Sequence, residues 1–325
     1  MKKAAIGHET RTQRWGYFFV APFAVVFGVF NLWPTINTFM LSFTDLWGLR
    51  SDFSFVGLEN FVKLITDQFF WGALGNTLII WGVNFVPQLG LALLLAIWLS
   101  DVRLDLAGKN LFRAIVYMPN LLTAVSVAML FRSIFGWGSH VNAPANLFLR
   151  SLNIQDTVIY SDGAVKEAFN FFRNIWFARG LVSFIQWWMW YGYTMIILMA
   201  GITGIPSSLY EAALVDGANS RQTAWHITLP LLRPIMIFVL VTSVIGGMQM
   251  FDIPFLVTDT RGNPDFSIRT TTMYQYTTAF QDRVDYAYGA AISIGIFFVT
   301  IILSLIVFFF LQDHGELKKQ KGVEA

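Results

Sequence analysis

The chain has 325 residues, of which 55% are hydrophobic, 17% aromatic and 13% charged. Charged residues make up about a quarter of an average soluble domain, so this composition excludes an ordinary water-soluble enzyme and points to a protein immersed in lipid. The net charge of +2 comes from basic residues that form no stripe, so no nucleic-acid partner is expected, and the absence of Cys excludes disulfide and thiol chemistry.

A helix crossing about 30 Å of hydrocarbon needs roughly 20 apolar residues, and six stretches meet that need. The opening MKKAAIGHETRTQRWG is polar for too long to be a cleaved signal peptide. The first apolar run, 17–43, is therefore a retained span, with breaks expected at Pro22 and Pro34. The second, 73–99, contains Asn84, Pro87 and Gln88; the third, 112–135, carries Pro119 and Asn120. The fourth, 181–203, is dense in Trp and Tyr, the fifth is 231–257, and the sixth, 288–311, is the cleanest. Proline within a span is tolerated where neighbours satisfy the freed carbonyls. The prediction is an all-α integral membrane protein of about six transmembrane helices, forming a bundle with an interior and a single domain, 1–325.

Between the fourth and fifth spans lies a short amphipathic segment, 205–234, IPSSLYEAALVDGANSRQTAWHITLPLLRP. Ser208 and Glu211 have the spacing of a capping box, so a helix is expected to start there. Gly217 stands where that helix would end in a left-handed turn. A second helix is expected near Asn219 or Ser220, stopping before Pro230 because proline disfavours helix in the residue preceding it. The segment reads either as a compact two-helix knob or as an ordinary structured loop.

Lys2, Lys3, Arg11, Arg14, Arg103, Lys109, Arg113, Arg221, Arg233, Lys318, Lys319 and Lys321 all fall on one side of a six-span topology, more densely than basic residues on the other. The positive-inside rule puts that side, with both termini and the 205–234 segment, in the cytosol. The opposite segments are 44–72, 136–180 and 258–287. The middle one, with a helix expected from Val165 to Phe177, is either an extracytoplasmic cap or a surface helix lying on lipid.

Chemistry is sparse. His8, His140, His226 and His314 are scattered over separate segments, and Gly108-Lys109 is followed by Asn110 with no upstream glycine, so it is not a phosphate loop. If ATP drives the protein, another chain binds it. Asp252 lies near the outer end of the fifth span, within reach of interfacial water. In that span Ser243, Gly246, Gly247 and Met250 are spaced i, i+3, i+4, i+7 and share one face. The face is either a close helix–helix contact or a cavity wall. Trp190 and Tyr193 on the fourth span could face the same space, with Gln249 as a hydrogen-bond partner. Sugars suit such surroundings, their C–H faces lying on aromatic rings; Trp187, Trp188 and Trp190 equally suit an interfacial belt.

Glu211, Ala212 and Ala213, then Asp216, Gly217 and Ala218, then Ile227, Leu229 and Pro230 resemble the EAA loop of ATP-binding-cassette importer permeases. Tyr210, Phe251, Asp252, Thr258, Tyr274, Gln275, Tyr276, Ala279 and Phe280, and the run Tyr288, Gly289, Ala290, Ala291, are similar to its carbohydrate-uptake branch, which includes the maltose and glycerol-phosphate permeases. The resemblance implies a type I importer fold whose 205–234 loop couples to a cytosolic ATPase. Glu211 would serve there as a cap, a contact, or both. Matched through the unbroken register of that loop, the sugar site of the maltose branch falls on Tyr193, Ser243, Gly246, Gly247 and Met250, with Trp190 beside them. It also implies the partners: a second permease subunit, two ATPase subunits holding ATP and Mg, an extracytoplasmic solute-binding protein, and a sugar, in a bacterial or archaeal cytoplasmic membrane. No cofactor is expected in this chain. Import of glycerol phosphate or another small polar solute, and ion-coupled secondary transport, remain as alternatives. The family's polar positions are Gly246, Gly247 and Met250 here, which leaves the substrate open.

Overall fold

The computed structural model describes residues 17–48, 52–101, 108–136, 142–152, 157–159, 165–167, 171–258, 260–282 and 284–312. The basic residues Lys2, Lys3, Arg11, Arg14, Arg103, Lys318, Lys319 and Lys321, and His8, His140 and His314, lie outside the described residues. The chain divides into two compact units, Met1–Thr66 with Thr278–Gly295, and Asp67–Thr277 with Ile296–Ala325.

In the first unit α1 (Tyr17–Leu41) is long and apolar enough to cross a membrane. It runs unbroken through Pro22 and Pro34. A wide π turn at Gly28–Leu32 places Pro34 in the first turn of the following helical stretch, where its missing N–H costs nothing. Helix α2 (Glu59–Thr66) is held by side chains at both ends. Asn60 donates to the Ser42 and Thr44 carbonyls at 3.0 and 2.8 Å, and Lys63 Nζ lies 3.4 Å from the Asp285 carboxylate and 3.7 Å from the centre of the Tyr288 ring.

The second unit carries most of the helices. Helix α3 (Gln68–Ser100) is capped by Asp67, whose carboxylate accepts the Phe69 N–H at 2.8 Å, and runs through Pro87 without a break. At about 1.5 Å per residue its 33 residues exceed what the hydrocarbon requires. The expected third span is bent. α4 (Lys109–Leu121) and α5 (Ala124–Phe135) meet at 86° across a two-residue gap, and neither alone is long enough to cross. Thr123 caps α5, accepting from Ser126 N–H at 3.3 Å, so the bend is a helix stop and a new start.

After α6 (Pro144–Ser151), the strands β1 (Thr157–Ile159) and β2 (Val165–Glu167) pair antiparallel, Val158 opposite Lys166. Val165–Glu167 is therefore strand where a helix was expected, with a 3-10 turn at Phe171–Arg173 and an α-helix from Ile175; the β-branched residues Thr157, Val158, Ile159 and Val165 favour extended pairing.

α7 (Ile175–Thr203) packs along α3 through Ile80, Val182, Ile185 and Leu198, all fully buried. Lipid tails are as apolar as leucine, so helix association within a membrane rests on close packing and interhelical hydrogen bonds. Both are present. Ser183 donates to the Ile80 carbonyl at 3.2 Å and Gln88 to Thr194 Oγ1 at 2.8 Å. A Cβ added at Gly192 would stand 2.2 Å from the Val116 carbonyl oxygen, so α4 lies directly against the α7 backbone.

The knob follows as α8 (Ser207–Val215), bent 76° from α7, and α9 (Ser220–Thr223). α10 (Arg233–Met248) and α11 (Asp252–Val257) together make the fifth apolar stretch, interrupted at 249–251. α12 (Thr271–Thr277) and α13 (Tyr286–Leu311) complete the described helices. The described chain is thus almost wholly helical, with four helices able to span a membrane, or up to six if each bent pair is one span.

Candidate functional site

Two places gather the sequence-predicted residues. The first is a cavity of about 400 Å³ among α3, α7 and α10, which Trp190, Tyr193, Ser243, Gly246, Gly247, Gln249 and Met250 all line. Trp190 and Tyr193 meet edge to face, ring centres 5.8 Å apart at 87°, and each is more than a third exposed.

The small-residue face of α10 does two jobs. A Cβ added at Gly246 would meet nothing within 4 Å, so this position opens onto space. At Gly247 the added Cβ would stand 2.2 Å from Trp81 Cδ1, so the room beside that glycine is filled by an indole from α3. Trp81 Nε1 donates to Ser243 Oγ at 3.0 Å, and its ring stacks on Phe85 at 5.4 Å and 11°. Ser243 and Gly247 thus hold α3 to α10, while Gly246 faces the cavity. Met250 is buried at 5% exposure, against the core beneath.

The break after α10 exposes helix carbonyls, and three threonines meet them. Thr271 and Thr272 hydroxyls donate to the Met248 carbonyl at 3.4 and 3.1 Å, and Thr270 to that of Met250 at 2.7 Å. Irregular backbone at membrane depth survives only where such groups are satisfied or line a cavity. The break turns Gln249 and Asp252 into the space, where both are exposed.

Sequence reasoning left Trp81, Gln186 and Thr194 out of this site, and noted Asn84 and Gln88 only as polar residues in a span. Their signal is Trp81, Asn84 and Gln88 at i, i+3, i+7, one face of an otherwise apolar helix. Among the described residues no Lys or Arg lines the cavity, and Asp252 lines it with a carboxylate. Among the described residues no cluster of metal-ligating side chains is present.

The second place is the knob. The Ser208–Glu211 capping box is not formed. α8 starts one residue earlier, after Pro206, whose fixed φ of −55° sets the chain into its first turn, and no side chain caps it. Glu211 therefore lies a turn inside α8, exposed, with Ala212 beside it and Ala213 buried. Gly217 has φ +75°, and the helix closes with two reverse bonds: Ala218 N–H to the Ala213 carbonyl at 2.9 Å and Gly217 N–H to that of Leu214 at 3.1 Å. Asn219 then caps α9 in a full box with Gln222, bonds of 2.9 and 2.8 Å.

Nor does the helix stop before Pro230. A π turn at Ala224–Thr228 shifts the hydrogen bonding by one residue, and Pro230 enters the first turn of Leu229–Leu231, where no donor is needed. Ile227 and Leu229 are half-buried there, Pro230 exposed, as is Asp216 at the end of α8. Tyr210 and Thr228 hydroxyls lie 3.2 Å apart and tie the two halves of the knob. Leu214, Val215 and Trp225 remain exposed, Val215 at 88%.

Residues 88–315 match the family described as binding-protein-dependent transport system inner membrane component, more than half of the chain. The chain belongs to that family. Over 299 residues the permease is 31% identical to the lactose transport system permease protein LacF of Rhizobium radiobacter, covering 92% of this chain and 94% of that one. It is 32% identical over 292 residues to the arabinooligosaccharides transport system permease protein AraP of Bacillus subtilis, covering 89% and 86%. Among solved structures, a chain of a bacterial ABC transporter involved in the import of the acidic polysaccharide alginate superposes with a TM-score of 0.74 at 21% identity, covering 94% of this chain and 98% of that one. A chain of the alginate transporter in complex with an alginate pentasaccharide-bound periplasmic protein gives 0.75 at 22%. The fold of the permease is that of an ABC importer membrane subunit, multi-pass and built to work with the other components of such a system.

Proposed function

We infer that the permease carries a neutral sugar, of disaccharide or short oligosaccharide size, across a bacterial or archaeal cytoplasmic membrane. One observation carries this reading: a cavity of about 400 Å³ that sets the exposed rings of Trp190 and Tyr193 beside amides and hydroxyls and, among the described residues, is lined by no Lys or Arg. That volume lies within the roughly 300–1,000 Å³ of small-molecule sites. Aromatic faces suit the C–H faces of a pyranose, and Gln249 and Ser243 can meet its hydroxyls. A phosphate ester would call for Arg or Lys, so glycerol phosphate is disfavoured. The lactose and arabinooligosaccharide permeases among the relatives support a sugar.

In this reading the whole chain acts as one permease domain beside a second permease subunit, with both termini and the 205–234 knob in the cytosol. Two ATPase subunits, which hold ATP and Mg, engage the knobs through Glu211, Ala212, Ala213, Asp216, Gly217, Ala218, Ile227, Leu229 and Pro230. A solute-binding protein delivers the sugar from outside. Closure of the ATPases opens the cavity outward, and hydrolysis returns it inward. This chain itself holds no cofactor.

The test is uptake of radiolabelled lactose and arabinotriose by proteoliposomes holding the complete importer with its binding protein. ATP-dependent uptake blocked by vanadate and indifferent to an uncoupler is expected. Uptake of glycerol phosphate in place of either sugar, or uptake abolished by the uncoupler alone, would overturn the reading.

A further inference from the structure

The wall that α3 gives to the cavity is not accounted for by the spans on either side of the knob. Trp81, Asn84 and Gln88 share one face of that helix and line the same space as Trp190 and Tyr193. Two of the three are already committed. Trp81 gives its N–H to Ser243 and stacks on Phe85. Gln88 donates to Thr194 Oγ1 at 2.8 Å, and Thr194 in turn donates to the Trp190 carbonyl at 3.2 Å.

Asn84, between them, is different. It is only 7% exposed, and its amide oxygen has no hydrogen-bond partner among the described residues. Buried acceptors are almost always paired, because leaving one unmade forfeits the bond it had with water. Here the residues one turn before and one turn after are locked by their own bonds, so Asn84 stands in a fixed frame with its acceptor unused. Among the described residues the cavity offers no Lys or Arg to fill it. A neutral hydroxyl donor is the complementary group, and a sugar presents several.

We propose that Asn84 is a substrate-contacting residue, its amide, whose oxygen is sealed from the cavity in this state, turning to take a hydrogen bond from a sugar hydroxyl in a subsite bounded by the Trp81 indole on α3. The proposal rests on the sugar reading above and adds a third wall to it. It also names a determinant of specificity: a site built to pair a hydroxyl discriminates against the analogue that lacks it.

The chain has no Cys, which makes the test direct. An Asn84→Cys variant is assembled into the complete importer with its binding protein, and labelling of the introduced thiol by methanethiosulfonate ethylammonium is followed by mass spectrometry of this chain. Lactose or arabinotriose, whichever the wild type imports, is expected to slow labelling at least about fivefold. In parallel, Asn84→Leu, which keeps the volume and removes the amide, is expected to lower maximal uptake about fivefold, the worth of one neutral hydrogen bond. Its recovery with the partner subunits should be unchanged. If the wild type imports neither sugar, the sugar reading itself fails. If it imports one but the sugar leaves thiol labelling unchanged, the subsite is refuted while the sugar reading stands, even where Asn84→Leu is slow. Full uptake by Asn84→Leu would also refute it.

Discussion

Ser220 donates a 2.9 Å hydrogen bond to the carboxylate of Asp101. Asp101 is the C-cap of α3, and Ser220 is the first residue of α9. The bond therefore fastens the knob to the same helix that bears Trp81, Asn84 and Gln88. Both residues border a cavity of about 260 Å³ under the knob, with Ile97, Tyr210 and Glu211. A push on the knob has a route to the cavity wall that does not pass through α7 or α10. Ser220→Ala should leave the importer assembled, since an exposed bond contributes little to stability, while uptake per ATP hydrolysed falls about two- to fivefold. The ratio of uptake to ATPase rate in proteoliposomes checks this; an unchanged ratio would deny the latch a role.

Gly217 ends α8 with φ +75°, and an added Cβ there would meet nothing within 4 Å. The constraint is thus on the backbone and not on space. A side chain at this conformation costs about 1 kcal/mol, least for Asn. Gly217→Asn is expected to keep most uptake, Gly217→Val to lose more. Gly217→Asp should abolish uptake with the chain still in the membrane, because it also brings a charge to the surface proposed to dock the ATPase. Co-purification of the ATPase across the three variants gives the order.

Much of this was legible in the sequence and some was not, for identifiable reasons. The apolar runs gave the helices, and Gly217 and Asn219 gave the turn between the two halves of the knob, because a left-handed glycine and an Asx cap are local signals. What depended on a π turn was hidden. Pro34 and Pro230 both looked like stops, and both enter helices whose bonding has shifted by one residue. The bend between α4 and α5 was hidden too, since Pro119 and Asn120 read as polar breaks tolerated within one span, and the 86° turn is made by the Thr123 cap that follows them. At the cavity, α7 and α10 were legible through the resemblance and through the small-residue spacing on α10. The α3 wall was missed because its two amides sit in a span where bulky apolar residues dominate.

Neighbouring glycines on α10 should behave oppositely. An alanine methyl at Gly247 has to displace the Trp81 indole and its bond to Ser243, a strain of about 1–3 kcal/mol. At Gly246 it meets open space. Gly247→Ala should lower the Tm of the detergent-solubilised complex, and adding Trp81→Leu should recover part of the loss, a coupling a double-mutant cycle measures. Gly246→Ala should leave the Tm unchanged and act on transport alone.

The break between α10 and α11 depends on hydroxyls that come from elsewhere in the chain. Thr270 is fully buried, donates to the Met250 carbonyl at 2.7 Å and accepts the Met273 N–H at 3.3 Å. Valine has the same shape without the hydroxyl. It would leave a buried carbonyl and a buried N–H unmatched, at a cost of about 1–3 kcal/mol for each group. Thr270→Val should therefore lower the Tm and, by loosening the break that turns Gln249 and Asp252 into the cavity, lower uptake with it. Thr270→Ser keeps the hydroxyl and should spare both. If Thr270→Val lowers the Tm and leaves uptake at the wild-type rate, the break is a structural accommodation, and the position of Gln249 does not govern transport.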